Sequence, residues 1–162
     1  MNTDYELAQQ LWQDGYQRQM SGAAGGIDEA IQLYQESIMT YPTAEAHTYL
    51  GWAYSLKGRF EEAIRECEIA IRLDPDFGNP YNDIGAYILA MDRPLEAIEW
   101  FERAIDAPRY DHPAFPHMNI ARARLKLGEV YAALSSLRRA FQIDPGYLPA
   151  VNAYYDILTK LN

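Results

Sequence analysis

The stretch AEAHTYLGWAYSLKGRFEEAIRECEIAIRLDPDF, from Ala44 to Phe77, holds two helical patterns and both of their stop signals. His47, Leu50, Gly51 and Tyr54 fall at i, i+3, i+4 and i+7, which is one face of a helix. Gly58 follows as a terminating glycine. Ala63, Ile64, Cys67, Ala70 and Ile71 then mark one face of a second helix. That helix ends at Asp74, because Pro75 disfavours a helical residue before it. Gly51 and Ala63 are small, so the two helices can approach to the short end of the usual ~8–10 Å.

Outward from this stretch, the same pattern restarts at Gly78 for 36 residues, to Pro113, and at Ala114 for 34 residues, to Tyr147. Equivalent places hold Leu50, Ile84 and Ile120; Gly51, Gly85 and Ala121; Ala63, Ala97 and Ala133; Ala70, Ala104 and Ala140; Pro75 and Pro145. A fixed period of this length means stacked copies of one supersecondary unit. A more degenerate copy precedes them, from about Ala8 to Tyr41. It has Leu11, Trp12 and Gly15 in helix A, Ala30, Tyr34 and Ser37 in helix B, and about three extra residues within SGAAGG, Ser21 to Gly26. After Tyr147, LPAVNAYYDILTKLN supplies one more helix, 148–161. Its Asn152, Asp156, Thr159 and Lys160 suit the polar end piece that a stack needs.

These columns and this period resemble the tetratricopeptide repeat, over nearly the whole chain, and are also similar to small stand-alone bacterial repeat proteins. The resemblance implies an all-α, right-handed α-solenoid of helix-turn-helix units. It reads as a single domain over 1–162, with repeats at about 8–41, 44–77, 78–113 and 114–147 and a capping helix at 148–161.

Composition agrees with a globular chain: 49% of the residues are hydrophobic and 23% charged. The net charge of −9 works against nucleic-acid and anionic-membrane partners. The start, MNTDYELAQQLWQDGYQ, has no basic-then-apolar leader pattern, and no window approaches the ~18 apolar residues of a membrane span. The expectation is a soluble protein of the cytoplasm.

Chemistry-bearing residues are sparse. The single cysteine, Cys67, excludes an internal disulfide, and its place between Ala63 and Ala70 makes it a small buried hydrophobe. His47 and His117 occupy equivalent places two repeats apart, roughly 20 Å at ~10 Å per packed helix, too far to share a metal ion. Gly22, Gly25 and Gly26 follow no strand and precede no Lys-Ser/Thr pair, so they form a turn and not a phosphate cradle. Glu61–Arg65 and Glu68–Arg72 have the spacing of supporting pairs on a solvated helix face. No cofactor, metal or catalytic role is expected.

Binding is the remaining class, because stacked helix pairs curve into an extended concave surface. The resemblance implies that helices A line it. One step around from each core stripe lie Trp12 and Tyr16 in the first copy, and Thr48 and Trp52 in the second. Asn79 and Asn82 follow in the third copy, Phe115, Met118 and Arg122 in the fourth, and Asn152 on the last helix. Aromatics, methionine and arginine are enriched at interfaces, and asparagine amides both donate to and accept from a peptide backbone. The expectation is a non-enzymatic scaffold that holds a peptide segment of a partner protein in this groove.

Relatives that grip chaperone C-termini use a clamp of lysines, asparagines and an arginine on these faces. Asn82 and Arg122 match that pattern, but Thr48, Trp52 and Met118 stand where lysine or asparagine is expected, which argues against that ligand. Charge is uneven along the array. Residues 1–81 carry 13 acidic and five basic side chains, whereas 107–143 carry two and six. A rival reading is therefore head-to-tail self-association into a structural solenoid. A helical-repeat RNA binder is a further rival, which the negative charge opposes.

Overall fold

The computed structural model describes residues 3–161. Among them are nine α-helices: α1 (Thr3–Met20), α2 (Gly26–Thr40), α3 (Ala44–Leu56), α4 (Phe60–Leu73), α5 (Asn79–Ala90), α6 (Pro94–Asp106), α7 (Ala114–Lys126), α8 (Val130–Ile143) and α9 (Leu148–Leu161). The first helix starts well ahead of Ala8, where the repeat pattern begins. Odd-numbered helices pack on the even-numbered helix that follows, and each even-numbered helix packs on the next odd one. In addition α1 touches α3, α3 touches α5 and α5 touches α7. The odd helices thus line the inside of the curve. On the outside, a cleft of about 460 Å³ lies between α2 and α4, over α3. The result is an α-solenoid.

The small-residue columns set the spacing within each pair. Ala30, Ala63, Ala97 and Ala133 are each 0% exposed, because the facing helix lies directly on them. A Cβ added to Gly15 would sit 2.7 Å from the Tyr34 ring. One added to Gly51 would sit 2.9 Å from the Ala63 carbonyl oxygen, and one added to Gly85 2.5 Å from the Phe101 ring. Tyr34, Cys67, Phe101 and Leu137 occupy one column of the even helices, so each glycine or alanine faces a different side chain. Burying one such ring or aliphatic group contributes about 1.5–3 kcal/mol.

Helix ends follow local chemistry. The Thr43 side chain accepts the Ala46 N–H at 3.1 Å and caps α3. After α3 the chain turns through Gly58 at φ 73°, and the equivalent place after α5 is Asp92 at φ 61°. Aspartate is among the few non-glycine residues that visit this region, and its carboxylate accepts from Lys126 Nζ at 2.9 Å. On the surface of α4, Glu62 takes two hydrogen bonds from Arg59 at 2.6 Å. The expected Glu61–Arg65 and Glu68–Arg72 pairs are not among the ion pairs of the described residues.

The two extra residues of the 78–113 copy have a definite place. The α6–α7 loop folds back onto the α4–α5 loop, where Gly78 N–H donates to Arg109 O at 2.7 Å and Arg109 N–H donates to Asp76 O at 3.0 Å. The Arg109 guanidinium lies 4.3 Å from the Phe77 ring centroid and donates to Asp74. This anchoring carries Tyr110 and Asp111 toward the inner edge of the solenoid. At the far end α9 packs on α8, with Arg138 donating to the Tyr154 hydroxyl at 2.6 Å. Among the described residues no helix is long and apolar enough to cross a membrane.

Candidate binding groove

Tyr49 is the centre of the inner face. Its ring stacks on Trp12 at 5.1 Å between centroids and 11° between planes. Tyr16 meets it edge-on at 5.5 Å, and Trp52 lies 6.5 Å away and 6.3 Å from Tyr16. Behind them Tyr34 stacks at 6.0 Å, its hydroxyl donating to Gln19 Oε1 at 3.0 Å. Trp12, Tyr16, Tyr49 and Trp52 all stay partly exposed, so α1 and α3 present an aromatic wall. Trp12 does double service, since it also seals the contact between neighbouring helices.

The polar half of the groove runs from α5 to α7. Asn119 donates to Asn82 Oδ1 at 3.0 Å, and Arg122 donates to Asn119 Oδ1 at 3.2 Å. Asn82 is buried, so it is floor, while Arg122 is exposed. Asn79 donates to Asp111 Oδ2 at 3.3 Å, across the edge made by the α6–α7 loop, and its own Oδ1 has no partner among the described residues. Asp83 sits one residue beyond Asn82, part-buried and without an ion pair among the described residues. Burial pushes its carboxyl up to about 7, and a hydrogen bond from Asn82 only partly offsets this. The Tyr49 hydroxyl is held above its ordinary value by burial, then by Tyr16 and by the carboxylates of Asp111, Asp83 and Glu45.

Four of the residues expected in the groove stand elsewhere. Thr48 is 4% exposed and its hydroxyl donates to Ala44 O at 2.7 Å within its own helix, so it is packed away from the groove. Met118 is 7% exposed and belongs to the core formed by α7, α8 and α9. Phe115 is accessible, but its ring stacks on His112 at 4.7 Å and lies tilted against Tyr147 at 5.1 Å, which fixes it at the loop rim. Asn152 is exposed on α9 without a hydrogen-bond partner among the described residues. Trp12, Tyr16 and Trp52 do come together, as do Asn82 and Arg122. The residues missing from the sequence reading are Tyr49, Asp83 and Asn119, which recur at one equivalent place in successive odd helices.

Other reactive groups are tied up. His47 Nδ1 donates to Glu66 Oε2 at 2.6 Å, beside the outer cleft. His117 is part-buried, and burial followed by the nearby Arg139 lowers its pKa. The Cys67 thiol is fully buried, which holds its proton on well above the ordinary thiol range. Among the described residues no group of three or more His, Cys, Asp or Glu side chains could hold a metal ion.

The family model of the tetratricopeptide repeat matches residues 44–77 and 116–147. An uncharacterized protein of Haemophilus influenzae is 30% identical over 98 residues, covering 60% of this chain and 55% of that protein. The small glutamine-rich tetratricopeptide repeat-containing protein 2 of Saccharomyces cerevisiae is 31% identical over 78 residues, 48% of this chain and 22% of its own length. The TPR repeat-containing protein YpiA of Bacillus subtilis is 23% identical over 140 residues, 85% of this chain and 32% of its own. The chain thus spans about half or less of the length of these relatives. Among solved structures, Pseudomonas aeruginosa PilF superposes with a TM-score of 0.87 at 17% identity, covering 98% of this chain and 70% of that one. PilW, a type IV pilus biogenesis factor, gives 0.79 at 19%, covering 88% and 64%. At these identities the likeness concerns the fold.

Proposed function

Because the chain belongs to the tetratricopeptide-repeat proteins, a class of protein–protein interaction scaffolds, we propose that its inner face holds an extended peptide segment of a partner protein. One observation carries the reading: four aromatic side chains from two successive odd helices stay partly exposed on the inner face, around Tyr49. Aromatic anchors of this kind dominate binding energy at interfaces. The Asn82–Asn119–Arg122 chain continues the same face and supplies donors and acceptors for a peptide backbone. The work proposed is non-enzymatic. The Cys67 thiol is buried and protonated, and among the described residues no serine, threonine or cysteine side chain is hydrogen-bonded to His47, so no nucleophile–base pair is assembled.

Panning displayed random peptides against the chain and titrating the selected sequences tests this. Trp52→Ala is expected to keep its circular dichroism spectrum and to weaken the selected peptides by about 2 kcal/mol or more. Arg122→Ala is expected to weaken them less, and less still at high salt. Affinities unaltered in both variants would put the peptide site elsewhere on the solenoid.

A further inference from the structure

The charges around the aromatic wall are one-sided. Glu45 lies on α3 at 3.5 Å from Arg109, Asp83 stands on α5 at the place equivalent to Tyr49, and Asp111 on the anchored α6–α7 loop accepts from Asn79 of α5 at 3.3 Å. All three help to raise the pKa of the Tyr49 hydroxyl. Among the ion pairs of the described residues, only Arg109 joins this group. It donates to Asp74 and stands 3.5 Å from Glu45, while Asp83 and Asp111 have no ion pair among the described residues. Elsewhere in the first half of the chain, Arg18 is paired with Glu29, Lys57 with Asp28 and Arg59 with Glu62, all away from the groove. Beside Asp111 the Asn79 amide oxygen is an acceptor with no donor among the described residues. The wall therefore combines ring faces, which attract cations, with two carboxyl groups, Asp83 and Asp111, that are bonded to amides and not to a cation.

We propose that the inner face between α3, α5 and the α6–α7 loop takes a cationic side chain, a lysine ammonium or an arginine guanidinium, from the peptide segment of the partner held there. This rests on the groove reading above and adds the chemistry of its occupant. The stem of the cationic side chain lies along Trp52 and Tyr49, and its head meets Asp83, with Glu45 and Asp111 setting the surrounding potential. The acidic balance of residues 1–81, 13 carboxylates against five basic side chains, draws such a segment to this end of the solenoid.

The chain supplies its own reporters, since Trp12 and Trp52 belong to the wall, whereas Trp100 lies on α6 under Arg103. The three indole N–H signals are followed by nitrogen-15 NMR while capped Gly-Ala-Arg-Ala-Gly is added, with counterparts carrying norleucine or glutamate in place of arginine. The arginine peptide is expected to move the Trp12 and Trp52 signals and leave Trp100 still. Asp83→Asn, with an unchanged Trp100 signal and melting temperature no lower than the parent, is expected to weaken it about tenfold. Equal binding of the norleucine or glutamate peptide overturns the proposal and leaves the groove reading standing, as does an Asp83→Asn variant that binds arginine as the parent does. If no peptide moves Trp12 or Trp52 at millimolar concentrations, the groove reading falls with it. If the signals move on concentrating the protein alone, and Arg138→Ala with Arg139→Ala abolishes this, the occupant is a second copy of the chain and the proposal is wrong.

Discussion

Replacing Asp83 by asparagine should change how stability depends on pH. A carboxyl raised from its ordinary 3.8 to about 7 binds its proton more tightly in the folded chain than in the unfolded one. Its contribution is therefore fully present below about pH 4 and is lost as the pH rises through about 7. Each factor of ten in proton affinity is worth about 1.4 kcal/mol, so complete burial would give about 4 kcal/mol. Asp83 is only part-buried, and solvent screening brings the expected loss to about 1–2 kcal/mol. The groups facing it are Tyr49 from α3, Cys67 from α4, Tyr87 on its own helix and Tyr110 from the α6–α7 loop. All four have pKa values raised above their ordinary ones and stay neutral between pH 4 and 8, so none titrates in this window. His117, whose pKa is lowered by burial and by Arg139, titrates equally in both proteins and drops out of the difference. Thermal melts of parent and Asp83→Asn from pH 4 to 8 should diverge steadily. The variant should gain about 2–6 °C at the alkaline end relative to the acid end. Parallel curves would show that Asp83 is solvated as an ordinary carboxylate, and that the polar floor is wetter than its packing implies.

Gly85→Ala should cost about 1–3 kcal/mol in urea unfolding, because its Cβ would meet the Phe101 ring at 2.5 Å, and Phe101→Leu should recover part of the loss. Unchanged stability of Gly85→Ala would mean that α5 and α6 are less tightly seated than described. Cys67, fully buried beneath Gly51, should react with an aromatic disulfide reagent only as fast as α3 and α4 separate. Immediate stoichiometric reaction in native buffer would contradict that burial.

The small-residue columns were legible in the sequence because each marks a backbone contact that recurs with the period, and a recurring steric demand leaves a recurring residue. Gly51, Gly85 and Ala63 meet that demand directly. The groove was less legible. Helix A turns two sides inward, one toward its own partner and one toward the solenoid axis, and their border falls between neighbouring residues. Thr48 is buried, while Tyr49, one residue on, stays partly exposed on the inner face. Asp83 and Asn119 repeat that place with unrelated chemistry, so no column of like residues announces it. Asp111 was invisible for another reason. The loop that carries it is positioned by hydrogen bonds from Gly78 and to Asp76, about 30 residues away, and local spacing says nothing about such a partner.

The pairing of Gly15 with Tyr34, Gly51 with Cys67, Gly85 with Phe101 and Ala121 with Leu137 makes each helix pair a lock cut for its own key. The copies share one backbone spacing but reach it by different divisions of volume between the two helices. A chimera that joins α7, with Ala121, to α6, with Phe101, would force a methyl group into a ring where Gly85 leaves 2.5 Å for a Cβ. The same cut made between Asp144 and Leu148 leaves every pair intact and spares the α4–α5 loop that Arg109 ties down. Shuffling this solenoid is therefore safe at an untied joint between pairs and costly at the tight turns within them, so that the helical hairpin, and not the single helix, is its unit of exchange.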